Sequence, residues 1–123
     1  MSRIAILIAG LVAAVALAAA PSFGGGSMTH PKLAGLTGPG FVITVQRNGT
    51  KLRRLSAGKY TLTVRDRSAE HNFRLKGPGM NRQITGLAFR GTRTVTVTLR
   101  RGTYTYVCDP HVGQGMKGTF RAT

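Results

Sequence analysis

The sequence predicts an all-β domain, a sandwich or barrel of roughly six to eight strands, behind an N-terminal export signal. Three observations carry this expectation. Beyond residue 40, apolar and polar residues alternate with the period of two that a half-buried strand requires. In "GKYTLTVRD" (58–66) Tyr60, Leu62 and Val64 alternate with Thr61, Thr63 and Arg65, and in "TRTVTVTLR" (92–100) Val95, Val97 and Leu99 alternate with threonines. Turn formers divide these runs. Asn48-Gly49 follows "FVITVQR" (41–47), and that dipeptide suits a two-residue hairpin turn in which both residues take positive φ. Finally, no segment after residue 40 carries an apolar stripe of 3.6-residue period over a helical length.

Taken in order, Ile4 to Ala20 is an unbroken run of 17 aliphatic, alanine and glycine residues behind Arg3, ending in "ALAAAPS" with small residues two apart. This is the pattern of a secretory signal peptide over residues 1–20, cleaved after Ala18 or Ala20. A run of this length also reaches the lower limit of a membrane span, so a retained N-terminal anchor is the alternative. No cysteine lies near that boundary, which excludes a lipid anchor attached through one. "PSFGGGSMTHPKLAGLTGPG" (21–40) is rich in glycine, proline and serine and reads as a flexible linker over 21–39, leaving 40–123 as the folded domain. Within that domain "KLRRL" (51–55) is a short partner strand after the hairpin. "GTYTYVC" (102–108) is the last long strand, "DPHVGQG" (109–115) a loop, and "KGTFRA" (117–122) a closing strand.

The chain carries 18 Lys and Arg against Asp66, Glu70 and Asp109, and removing Arg3 with the signal leaves 17 − 3 = +14. Such an excess favours acidic protein partners, anionic lipid headgroups or cell-wall polymers. The basic residues scatter instead of forming one block, and no nucleic-acid-binding motif accompanies them, so a nucleic-acid partner is not expected. None of the three carboxylates is paired at a spacing for acid–base work, so hydrolysis is not expected either. The single Cys108 cannot form a disulfide within the chain. Outside the cytoplasm it is expected to be buried or bound to a metal. The expected state is a monomer working in that compartment.

Cys108, His111 and Met116 fall within nine residues. Strand alternation places Tyr104, Tyr106 and Cys108 on one inward face, with His111 and Met116 in the loop that follows. Taken singly, Cys108 reads as a buried structural thiol and His71 as a satisfied core or surface histidine. Taken together they offer soft thiolate and thioether with intermediate imidazole, a set that suits copper far better than magnesium or calcium. Structural zinc would ask for paired cysteines. The second imidazole comes from His71 in "SAEHNFRL" (68–75), 37 residues before Cys108. Two histidines and a cysteine in a trigonal arrangement, with a weak axial methionine, make an electron-transfer copper site. His30, in the linker, reads as solvent-exposed, and Met28 and Met80 as loop or partly buried residues. Glu70 faces away from His71 in an extended segment, and Asp109 hydrogen-bonds its own loop.

The "HNF" at 71–73, the Cys-x-x-His-x-x-x-x-Met run from Cys108 to Met116 and the glycine-led final strand resemble the cupredoxins, the plastocyanin and azurin type of blue copper protein, over about residues 40–123. The resemblance implies a Greek-key β-sandwich and one type 1 copper ion held by His71, Cys108, His111 and Met116. It also implies that Asn72 ties the two ligand loops together by hydrogen bonding. Electrons would pass at an exposed edge of His111 set in an apolar patch, with Val112, Gly113 and the "GPGM" loop (77–80) around it. Pro110 has no N–H to offer the sulfur, which leaves more charge on the thiolate and lowers the potential. Val107 stands where plastocyanin carries an aromatic residue, and plastocyanin's acidic patches are missing, so plastocyanin-style docking is not implied. The expected function is an extracytoplasmic carrier of single electrons between redox partners with acidic surfaces, not an enzyme. The alternatives are a copper module for capture, delivery or protection, and a structural sandwich that does not use the motif. A copper oxidase needs a second copper with its own histidines, and only His30 would remain to build it.

Overall fold

In the computed structural model, which describes residues 29–123, ten strands and one 3₁₀ helix follow one another. They are β1 (Lys32–Thr37), β2 (Ile43–Arg47), β3 (Thr50–Lys51), β4 (Arg54–Leu55), β5 (Gly58–Asp66), β6 (Phe73–Gly77), β7 (Met80–Thr85), β8 (Gly91–Leu99), β9 (Gly102–Val107) and β10 (Lys117–Ala122), with the 3₁₀ helix at Asp109–Gln114. The export signal expected over 1–20 lies outside the described residues, as does the first part of the expected linker. The strands form two five-stranded sheets, in the orders β3-β2-β1-β5-β8 and β4-β10-β9-β6-β7. The pairs β1–β5 and β4–β10 are parallel and the rest antiparallel. The chain crosses repeatedly from one sheet to the other, which gives a Greek-key β-sandwich.

Two expectations need correction. The segment expected to be linker over 21–39 contains β1, a central strand paired with both β2 and β5, so the folded unit starts before residue 40. The cause is Gly35, where a Cβ would stand 3.0 Å from Val64 Cγ2 and 3.3 Å from the Phe73 ring. Close packing against the neighbouring strand and across the sandwich favours glycine there, and glycine is what made the segment read as linker. The strand count also exceeds six to eight. The "KLRRL" stretch is divided, its Lys51 ending β3 in the first sheet and its Arg54 and Leu55 forming β4 in the second. The hairpin turn is as expected: Asn48 and Gly49 have φ of 51° and 76°, and Arg47 faces Thr50 across it.

The alternating residues of β5, β8 and β9 supply the core. Leu62, Val64, Val97 and Leu99 from the first sheet face Phe73, Leu75, Tyr104, Tyr106 and Phe120 from the second. The Phe73 and Tyr106 rings stack at 6.0 Å between centroids, and those of Tyr104 and Phe120 at 5.3 Å. Buried tyrosine hydroxyls need partners. Tyr104 Oη accepts from the Arg100 N–H at 2.8 Å and donates to the Pro78 carbonyl at 3.2 Å. Burial pushes the Tyr106 hydroxyl pKa up, partly offset by a backbone hydrogen bond from Val45. Glycines make room for these rings: Tyr106 lies over Gly118 of the neighbouring strand, and Tyr104 over Gly77. Replacing Gly118 by alanine sets a methyl against the Tyr106 ring. Overpacking of this kind is expected to lower the unfolding free energy by about 1–3 kcal/mol, read from a urea titration. No change would show that the ring is free to move aside.

Candidate metal centre

Cys108 follows the last residue of β9 and keeps an extended backbone, φ −97° and ψ 115°, so the inward row of Tyr104 and Tyr106 continues to its sulfur. All three are fully buried. The chain then turns into the 3₁₀ helix, which has Pro110 in its first turn, and the His111 N–H donates to the Cys108 carbonyl at 3.1 Å. Gly115 closes the helix in the left-handed region at φ 87°. The Met116 N–H donates to the His111 carbonyl at 3.2 Å, and the Cys108 N–H donates to the Met116 carbonyl at 3.1 Å. Three candidate ligands thus share one closed ring of backbone hydrogen bonds. Met116 is fully buried and His111 partly exposed.

His71 arrives from the other loop, two residues before β6, and is buried. Its Nδ1 lies 2.8 Å from His111 Nδ1, and Cys108 Sγ lies 3.6 Å from the first and 3.4 Å from the second. A first-row metal ion binds imidazole nitrogen at about 2.0 Å and thiolate at about 2.3 Å, which sets trigonal donors roughly 3.4–3.7 Å apart. Both sulfur–nitrogen separations match, and the two imidazoles need part by only about half an ångström. Two imidazole nitrogens and a dry thiolate, with a thioether in the same loop, are the donor set that selects copper. His30 is half-buried ahead of β1 and takes no part in this cluster.

Asn72 joins the two loops. Its Oδ1 accepts from the Asp109 N–H at 2.7 Å, and its Nδ2 donates to Asp109 Oδ2 at 2.8 Å and to Gln83 Oε1 at 3.0 Å. Thr37 Oγ1 donates to the Asn72 carbonyl at 3.2 Å, which brings β1 into the same network. Asp109 therefore bonds across to the His71 side and not within its own loop as expected. Arg74, which sequence reasoning passed over, donates from Nε to the same carboxylate at 2.9 Å. Burial raises the Asp109 pKa, but the hydrogen bonds from Arg74 and Asn72 and the charges of Arg74 and Lys76 outweigh it and hold the carboxyl below its ordinary value.

The apolar surroundings of His111 also differ from expectation. The "GPGM" loop is the β6–β7 turn, where Gly77 lies under the Tyr104 ring and Gly79 against the Arg100 guanidinium. The loop at the histidines is the other Gly-Pro-Gly, residues 38–40, followed by Phe41. At Gly38, φ is 67° and a Cβ would stand 2.9 Å from His71 Cδ2. The Phe41 ring centroid lies 5.1 Å from that of His111 and 6.1 Å from that of His71, although Phe41 is 59% exposed. Val42 and Val112 are exposed as well. Gly113, also expected beside His111, is exposed within the 3₁₀ helix.

The family model of copper binding proteins, plastocyanin/azurin family, matches residues 48–122. Among solved structures, a rusticyanin variant superposes with a TM-score of 0.55 at 23% identity, over 75% of this chain and 76% of that one. Rusticyanin from Thiobacillus ferrooxidans gives 0.52 at 23% identity over the same shares. A pseudoazurin from Sinorhizobium gives 0.47 at 25% identity, over 78% of this chain and 75% of that one. The rusticyanin likeness concerns the fold alone, and the pseudoazurin superposition is looser still.

Removing the buried Asn72 side chain takes the partner from the part-buried Asp109 N–H and breaks the tie between the two loops. Asn72→Ala is therefore expected to cost about 1–3 kcal/mol in denaturant unfolding, with or without metal. A loss well under that would show that water replaces the amide. Phe41→Ala, by contrast, removes a mostly exposed ring and is expected to leave stability within about 0.5 kcal/mol while copper is lost several-fold faster to a chelator. An unchanged release rate would show that Phe41 does not shield the histidines.

Proposed function

Because the chain belongs to the plastocyanin/azurin family of copper-binding proteins, we propose that it is an extracytoplasmic electron carrier with His71, Cys108, His111 and Met116 as ligands to one type 1 copper ion. The observation that carries this reading is the convergence of the His71, Cys108 and His111 donor atoms across two loops tied by Asn72. Copper, when bound, supplies the one-electron couple; the residues supply everything else. Cys108 and Met116 are held in the closed hydrogen-bonded loop, and His71 is held through Asn72 and β6, so the donors stay in place when the charge changes. The Phe41 ring beside His111, with the exposed Val42 and Val112 on the same two loops, offers apolar surface that suits brief contact with a redox partner.

Burial of the sulfur donors favours shuttling over copper capture or delivery. Handing copper to an acceptor by ligand exchange needs donors the acceptor can reach, and Cys108 and Met116 are each 0% exposed. A turnover role is disfavoured by the shortage of imidazoles, since His30 alone remains for a second copper. Export is supported by the apolar run ending at Ala20, and an acidic partner by the basic surface. Monomeric action fits a site completed within one chain.

Adding Cu(II) to the protein is expected to produce an intense blue charge-transfer band and a narrow copper hyperfine pattern in electron paramagnetic resonance, both lost in Cys108→Ser. A colourless protein, or a mutant that keeps the band, would rule out the thiolate site. Pro110 lies in the first turn of the 3₁₀ helix with no N–H to offer Cys108 Sγ. Pro110→Ala restores a donor beside the thiolate and is expected to raise the midpoint potential by on the order of tens of millivolts, since only the difference between oxidation states counts. An unchanged or lower potential in voltammetry would refute this role.

A further inference from the structure

The outer face of the second sheet carries a cationic cleft that the copper site does not use. Along β10, Phe120 and Ala122 point into the core, so Lys117, Thr119 and Arg121 point outward. The register places Thr103 and Thr105 of β9 beside Arg121 and Thr119, and Arg54 of β4 on the other side of Arg121. Lys51 and Arg53 come in from the β3–β4 segment, and the Arg53 carbonyl accepts from the Arg121 N–H at 2.9 Å. Lys51, Arg53, Lys117 and Arg121, with the Thr103 and Thr119 side chains, line a cleft of about 530 Å³.

Among the described residues, none of these cations forms an ion pair with a carboxylate side chain. Of the chain's three acidic residues, Asp66 is buried at the end of β5, Glu70 precedes His71 and Asp109 is paired with Arg74. Four like charges around one cleft repel one another in the folded state, and a bound anion relieves that repulsion. Protein interfaces are anchored by aromatic residues as well as arginine, and among the described residues this face presents no exposed aromatic side chain. Among the described residues, the large exposed apolar side chains Phe41, Val42, Leu87 and Val112 lie elsewhere. Lys117 and Arg121 stand four residues apart on one strand, roughly 13 Å, with a threonine between them. That length fits successive anionic groups of a chain better than a single anion.

We propose that this cleft seats a linear phosphodiester polymer of the cell envelope, with Lys51, Arg53, Lys117 and Arg121 pairing its phosphates and Thr103 and Thr119 donating hydrogen bonds. The envelope as source rests on the export reading above, whereas the binding itself depends neither on that reading nor on copper. The test titrates the whole protein with poly(glycerol phosphate) by calorimetry, beside poly-glutamate and phosphatidylglycerol vesicles, with circular dichroism confirming the fold. Arg53→Glu with Arg121→Glu is expected to weaken polymer binding about tenfold or more. Arg65→Glu with Arg90→Glu, the same charge change at exposed positions outside the cleft, should weaken it far less. Equal losses in the two pairs would overturn the cleft and leave only diffuse charge. Poly-glutamate binding as tightly as the polymer would overturn the phosphate assignment in favour of acidic proteins, and equally tight vesicle binding in favour of a membrane. Should the charge-reversed pair fail to fold, Lys51→Gln with Lys117→Gln tests the same cleft with a smaller change, and unaltered affinity there would overturn it.

Discussion

Two hydrogen bonds between Asn72 and Asp109 hold the donor set together. One joins the Asp109 N–H to Asn72 Oδ1 at 2.7 Å, the other Asn72 Nδ2 to the Asp109 carboxylate at 2.8 Å, between residues 37 apart in sequence. Asn72 is buried, so its amide groups have little water to fall back on and the bonds are costly to leave unmade. His71 precedes one partner and Cys108 precedes the other, which means that the pair sets the distance between imidazole and sulfur. The Arg74–Asp109 ion pair is partly solvated, with side chains 26% and 38% exposed, and its contribution is to orientation more than to stability.

The rest of the sandwich serves this junction. The stacked rings of Phe73 and Tyr106 sit on the two strands that lead to Asn72's and Cys108's loops, and β6 and β9 are paired directly through Arg74 and Val107. A metal site between loops needs a stiff floor, and close aromatic packing over glycines supplies one. Full burial of Cys108 and Met116 keeps water from the sulfur atoms, while the partly exposed His111 ring leaves one apolar route to the surface.

Charge and apolar surface are divided over the molecule. Apolar residues gather beside His111, where Phe41 and Val112 are exposed, whereas Lys51 and Arg53 of the β3–β4 segment meet Lys117 and Arg121 of the second sheet. The division has a simple origin: β10 begins next to Met116 and runs away from the site, carrying an outward residue at every second position. The apolar patch beside His111 and the cationic cleft are therefore built from different residues.

The sequence by itself determined whatever depends on neighbours along the chain. Period-two alternation in β5, β8 and β9 dictated strands, Asn48-Gly49 dictated its turn, and the spacing from Cys108 to Met116 put three donors into one strand end and the loop after it. Tertiary structure alone decided the rest. Strand β1 was hidden because Gly35, packed closely against Val64 and Phe73, is of the residue type that marks linkers. Two Gly-Pro-Gly segments are alike in sequence, and only the pairing of β1 with β2 brings residues 38–40, with Phe41, to the histidines. The turn from Asp109 to Asn72, and the meeting of Lys51 and Arg53 with Lys117 and Arg121, likewise follow from which strands lie side by side. Backbone geometry fixes what a residue's near neighbours do, whereas strand order is settled by the burial and hydrogen bonding of the whole chain.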